Sequence, residues 1–143
     1  RAHTDKTHNN DLPLCRDVAA RVASPEKVAF PDAELSSQAL RDLIGRCQVF
    51  VASRFHAMVS SLAMGVPTLV IGWSHKYREV LDMFGLAEWA LAHDAYDDEV
   101  FARRIADLLE REHEVRERLA AALPSVRGAA LQQIEVIERV ARG

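Results

Sequence analysis

The sequence lacks a basic excess, a long apolar run and a cysteine framework, and each absence removes a class of function. Its 18 Lys and Arg stand against 21 Asp and Glu, for a formal charge of −3. It therefore has no broad basic face of the kind that binding to a nucleic-acid backbone requires. Any anion it binds must be met by a local group of cations. No apolar run approaches the roughly 18–20 residues of a membrane span, and no signal-peptide pattern is visible, so the only membrane contact left open is a peripheral one. The two cysteines, Cys15 and Cys47, lie far apart without metal-type spacing and read as reduced thiols of a cytoplasmic protein. Internal repeats and low-complexity linkers are absent too. What is present, 143 residues with 49% hydrophobic and 27% charged side chains, is enough for one domain with a proper core.

Apolar runs alternate with helical patterns along the chain. Leu14, Val18 and Val22 have helical spacing, with Asp11 as candidate cap and Pro13 in the first turn. Lys27–Phe30 reads as a short strand closed by Pro31, and a helix opening at Ser36 or Ser37 carries Leu40, Leu43 and Ile44 and ends at Gly45. Val49–Ala52 is apolar without alternation, as a buried parallel strand is. Phe55–Met64 then switches to helical spacing and stops at Gly65. A strand over Thr68–Ile71, a helix from about Lys76 to Phe84 stopped by Gly85, and a weak strand at Trp89–Leu91 follow. Asp97 onward is helical, with a break expected at Pro124. Met58, Met64 and Met83 fall at core-type helical positions, whereas His93, His113 and the charged run Arg103–Arg118 read as solvated surface. The alternation predicts an α/β fold with a Rossmann-like parallel sheet flanked by helices. The polar opening, RAHTDKTHNNDLP, reads as a βα loop whose strand lies outside the sequence, so residues 1–143 are expected to be one α/β domain from the C-terminal part of a larger protein.

Chemistry is expected where the first apolar strand meets its helix. Arg54 and His56 stand at a strand's carboxyl end and a helix's amino end, the edge at which open α/β sheets bind ligands. There the free N–H groups starting at Phe55 and the helix dipole favour phosphate or carboxylate. An Arg and a His flanked by apolar runs are costly to place without a partner. The next βα loop, Gly72-Trp73-Ser74-His75-Lys76-Tyr77, would lie beside them if the strands pair. Lys76 would add an ion-pairing cation and Gly72 room for a ligand's approach to backbone, with Trp73 available as cover for the core. His3, Asp5 and His8 bring two imidazoles around a carboxylate, but spacing fixes no fourth ligand, so no metal site is expected. That loop is read as lining the same edge, with His3, Asp5 or Asp11 reaching a substrate.

The run SRFHAMVSSLAMGVPTLVIGWSHKYREVLDMFGL, Ser53–Leu86, resembles the C-terminal half of the polysaccharide pyruvyl transferase family. The shared pattern is an apolar strand, Arg-x-His, a small-residue helix, Gly-Val-Pro, a second strand, and a loop with Lys before a helix ending in Gly-Leu. The resemblance implies a two-domain fold like that of the GT-B glycosyltransferases. It implies transfer of a pyruvyl group from phosphoenolpyruvate to sugar hydroxyls as a ketal, in surface polysaccharide or glycan assembly, with no cofactor beyond that donor. The acceptor would be a glycan or a lipid-linked sugar, reached in the cytoplasm or at the inner face of the membrane. Arg54, Phe55, His56, His75 and Lys76 would be substrate-binding residues, and His56 either the acid or a phosphate ligand. In such an architecture the cleft between two domains holds one substrate on each side, and this chain alone would be inactive. The competing reading is a nucleotide-sugar glycosyltransferase of the same fold. Many retaining members carry Glu five residues before the Gly-x-Pro turn and another eight earlier, where this chain has Ser60 and Ala52. A related epimerase and an anion- or sugar-binding domain without turnover are further alternatives.

Overall fold

The computed structural model describes residues 11–142, except for residues 30 and 32–34. The chain divides into two compact units, Arg1–Ser37 and Gln38–Gly143. In the first, helix α1 spans Leu12–Arg21 with a proline in its opening turn. Asp11 occupies the cap position but makes no side-chain cap bond. The expected strand over Lys27–Phe30 is not a strand among the described residues. Pro25–Lys27 form a 3-10 turn, closed by bonds from the Lys27 N–H to Ser24 O and the Val28 N–H to Pro25 O. Proline's preset φ starts the turn, and Val28 leaves it with extended dihedrals, outside any strand among the described residues.

The second unit is a mixed α/β, Rossmann-like domain whose three parallel strands lie in the order β1-β2-β3. Helix α2 (Ser37–Gly45) leads to β1 (Phe50–Ala52), α3 (Phe55–Ala63), β2 (Thr68–Gly72), α4 (His75–Asp82), a 3-10 turn at Ala87–Trp89 and β3 (Ala90–Ala92). Phe50 pairs with Thr68 and Ala52 with Val70, while Val70 pairs with Ala90 and Gly72 with Ala92. Leu69 and Val70 of the central strand β2 are buried; β1 is not the buried strand expected, since it lies at the edge of the described sheet, buries only Ala52 and leaves Val51 exposed. Gly65 and Gly85 end their helices with positive φ, a conformation that favours glycine. Trp89 belongs to the turn before β3, not to the strand, and its ring is wholly buried. Only Met58 of the three methionines is in the core; Met64 and Met83 are exposed, and the Met64 methyl lies against the space left by the absent side chain of Gly45.

Two buried hydroxyls share one site inside this core. Ser61 Oγ donates to Met58 O at 2.8 Å, and Thr68 Oγ1 lies 2.8 Å from both Ser61 Oγ and Val66 O. Pairing removes the cost of burying either hydroxyl alone.

Helices α5 (Asp98–Glu110) and α6 (Glu112–Arg142) complete the unit. The break falls at Arg111, and α6 continues through Pro124. A proline inside a helix costs about 3 kcal/mol or more. Here Ala122, Leu123 and Val126 pack against the core on both sides of it, which holds the helix together across the lost bond. Arg116 and Arg127 of α6 fasten it to the opposite end of the sheet from the βα loops. Arg116 donates to Gly65 O and Gln48 O at 3.0 and 3.1 Å, and Arg127 to Ala63 O at 3.0 Å. These cations meet the carbonyl-rich C-terminal end of α3, the favourable sign for a helix dipole.

The charged run Arg103–Arg118 is more than a solvated face. It contributes buried Leu108 and Val115, and the Arg104 and Arg111 guanidinium carbons stand 4.8 and 5.4 Å from the Trp89 ring centroid. Arg104 also donates to Glu88 O, and Arg118 pairs with the Glu88 carboxylate at 2.6 Å.

Candidate functional site

Parallel pairing in register brings the carboxyl ends of β1 and β2 to one edge, so the loops leaving them are neighbours. The first loop delivers Arg54, with extended dihedrals, as the N-cap of α3. Its carbonyl accepts the first intrahelical bond, from the Met58 N–H at 3.1 Å, which leaves the amides of Phe55, His56 and Ala57 without partners inside the helix. The second loop delivers Trp73, Ser74, His75 and Lys76. Ser74 caps α4, its Oγ accepting from the Lys76 N–H at a long 3.5 Å.

Arg54, His56, His75 and Lys76 are all exposed, and Phe55 is half-buried. Two guanidinium- or ammonium-bearing residues, two imidazoles and a helix amino end thus share one edge. That donor set suits a small dianion. No cluster of three or more His, Cys, Asp or Glu able to hold a metal occurs among the described residues. His3 and Asp5 lie outside the described residues.

What ties the two loops together is Tyr77, a residue that pattern reading left without a role. Its ring is buried, and its hydroxyl donates to Ser53 O in the first loop at 3.2 Å. Phe55 packs edge-on to Tyr77 at 5.7 Å and to His56 at 6.1 Å. Trp73 also meets the Tyr77 ring, at 6.0 Å. Gly72 is explained by the same ring. A Cβ at Gly72 would sit 3.0 Å from Tyr77 Cβ and 3.2 Å from Cγ, so the absent side chain makes room for Tyr77 and not for a ligand. Trp73 does not cover the core; it is 70% exposed. The one signal that pointed to Tyr77 is its helical spacing from Val80 and Leu81, which puts it on the buried side of α4.

Residues 3–75, about half of the chain, match the polysaccharide pyruvyl transferase family. The chain belongs to that family. The matched span contains Arg54, Phe55, His56, Trp73 and His75, and ends one residue before Lys76. The chain is also similar to the amylovoran biosynthesis protein AmsJ of Erwinia amylovora, with 23% identity over 123 residues. That similarity covers 86% of this chain but 30% of the relative, so the chain spans under a third of that protein's length. No solved structure matches it.

Proposed function

We propose that this chain carries the donor-binding edge of an enzyme that transfers a pyruvyl group from phosphoenolpyruvate to two hydroxyls of a sugar, in polysaccharide biosynthesis. The observation that carries the reading is the placement of Arg54 and His56, within the span that matches the family, at the β1–α3 junction beside His75 and Lys76 at the start of α4. Phosphoenolpyruvate presents a phosphate and a carboxylate, and Arg54, Lys76 and the amides of residues 55–57 supply a guanidinium, an ammonium and backbone donors for them. The planar fork of Arg54 fits either anion.

The reaction needs a proton delivered to the methylene carbon of the donor while a sugar oxygen attacks the adjacent carbon and loses its own proton. The C–O bond to phosphate then breaks with its electron pair, and a second sugar hydroxyl closes the ketal. Two hydroxyl protons are released in all; one is accounted for by the new methyl group and one by the departing phosphate. His56, exposed on the same turn as the amides, is the group suited to this proton traffic. This domain forms the C-terminal wall of a two-domain, GT-B-like cleft in which donor and acceptor meet. The donor places the reaction in the cytoplasm, with a lipid-linked acceptor met by peripheral contact. No helix among the described residues is long and apolar enough to cross a membrane.

Titration with phosphoenolpyruvate, followed by the amide resonances of residues 55–57 with a UDP-sugar in parallel, tests this reading. Phosphoenolpyruvate is expected to shift those amides, and Arg54→Ala to abolish the response. In the active enzyme His56→Ala is expected to lower turnover by about 10²–10⁴-fold, the range for loss of a general acid–base group, and Lys76→Ala to raise the KM for phosphoenolpyruvate. A response to the UDP-sugar alone would replace the reading with glycosyl transfer.

A further inference from the structure

Trp73 is both exposed and held against a buried ring. It is 70% exposed, yet its ring is seated edge-on against Tyr77 at a 65° interplanar angle. Tyr77 is itself 3% exposed and fixed through its hydroxyl to Ser53 O. An indole in ring contact with a buried tyrosine, and 70% exposed, is held in place while most of its surface stays in water.

Its place in the fold says what it faces. Trp73 follows the last residue of β2, and a continuous row of rings runs from it through Tyr77 and Phe55 to His56. The successive centroid separations are 6.0, 5.7 and 6.1 Å. The indole is thus three ring-steps from the imidazole assigned to proton transfer, on the edge that also carries Arg54 and Lys76. An anionic donor has no use for an apolar plane. A pyranose does: its ring carries C–H bonds on its faces and hydroxyls at its rim, so an electron-rich indole face receives the C–H bonds while rim hydroxyls meet exposed His and Lys groups.

We propose that Trp73 is a stacking platform for a pyranose ring of the acceptor glycan. This deepens the reading of the chain as a pyruvyl transferase and rests on it for the identity of the sugar as acceptor. Donor and acceptor thereby meet on one edge, the anion at the α3 amino end and the sugar on the indole.

The test uses this chain labelled with nitrogen-15, whose two tryptophans give two indole resonances, assigned with a Trp73→Phe variant. Wholly buried Trp89 serves as the monitor of folding. Methyl glycosides of glucose, galactose and mannose are titrated in, neutral sugars without phosphate or carboxylate. At least one is expected to shift the Trp73 indole and leave Trp89 in place. Trp73→Ala is expected to weaken that sugar's binding about tenfold, the scale of one aromatic contact, with Trp73→Tyr recovering most of it. A Trp73 resonance unmoved by every sugar, equal binding by Trp73→Ala, or a Trp73 shift that follows protein concentration without sugar would each overturn the proposal, the last by making the indole a contact between copies of this chain. Phosphoenolpyruvate is titrated separately against the amides of residues 55–57. Sugar binding with no donor response would refute pyruvyl transfer and leave the platform standing; the reverse pattern would refute the platform alone.

Discussion

Replacing Tyr77 by Phe isolates the hydrogen bond that runs from Tyr77 to Ser53 O between the two loops of the candidate site. The substitution removes the hydroxyl that donates to Ser53 O at 3.2 Å and keeps the ring that contacts Phe55 and Trp73, so no cavity forms. A neutral intramolecular hydrogen bond contributes about 0.5–1.5 kcal/mol net. This one is long, and its acceptor belongs to an exposed residue that water can reach in the variant, so the lower half applies, about 0.5–1 kcal/mol. Urea unfolding should show a loss of that size with an unchanged m-value. The consequence for binding follows from the same bond. Without it, whatever order the bond gave the Ser53–Arg54 loop must be supplied on binding, and that cost is bounded by the worth of the bond. The affinity for the proposed donor, phosphoenolpyruvate, should therefore fall by no more than about two- to fivefold. Tyr77→Ala differs in kind, since losing a buried aromatic ring costs about 3–5 kcal/mol. If Tyr77→Phe matched the parent in both stability and donor affinity, the loops would be positioned by packing alone. A loss above about 2 kcal/mol would mean that the ring had moved and that the reasoning from one bond had failed.

Arg116→Ala removes two charge-assisted bonds to backbone carbonyls and the pair with Glu112. Discounted for the half-exposed guanidinium, the expected loss is about 1–2 kcal/mol in urea unfolding, and Arg116→Lys should recover little because a single ammonium cannot span both carbonyls; full recovery by Lys would reduce the fork to a simple charge. Glu88 supplies a pH test. Partial burial alone would raise its pKa, but the hydrogen bond and charge of Arg118, its own backbone bond and the charge of Arg111 outweigh that and hold it below the ordinary 4.5. A carboxylate lowered in the folded state binds fewer protons there than in the unfolded chain, so its contribution is present above the unfolded value and disappears as pH falls through the folded one. Glu88→Gln should accordingly flatten the fall of stability with acid below pH 4.5, and parallel curves for the two proteins would contradict the ion-pair assignment.

Most of the site was legible because its signals are local. Non-alternating apolar runs marked β1 and β2, the glycines with positive φ marked the ends of α3 and α4, and the position of Arg54 and His56 at a strand-to-helix junction follows from those boundaries. The failures share a cause. A strand was expected over Lys27–Phe30 from composition, but a strand exists only where a partner accepts its ladder bonds. A break was expected at Pro124, but burial on both sides of the proline outweighed its local cost. The arginines of Arg103–Arg118 looked like a solvated face because nothing local says that a buried indole lies beneath them.

The sequence by itself determined the alternation of elements and the residue types at the sheet edge, since strand burial, helix caps and glycine turns are decided within a few residues. Tertiary structure alone decided that β1 and β2 pair in register, which makes neighbours of two loops some twenty residues apart. It also sent Trp73 outward from the loop and Tyr77 inward from the first turn of α4. That choice depends on which side chain can fill the space above Gly72 and reach Ser53 O, a condition set by packing across the sheet and invisible to any pattern along the chain.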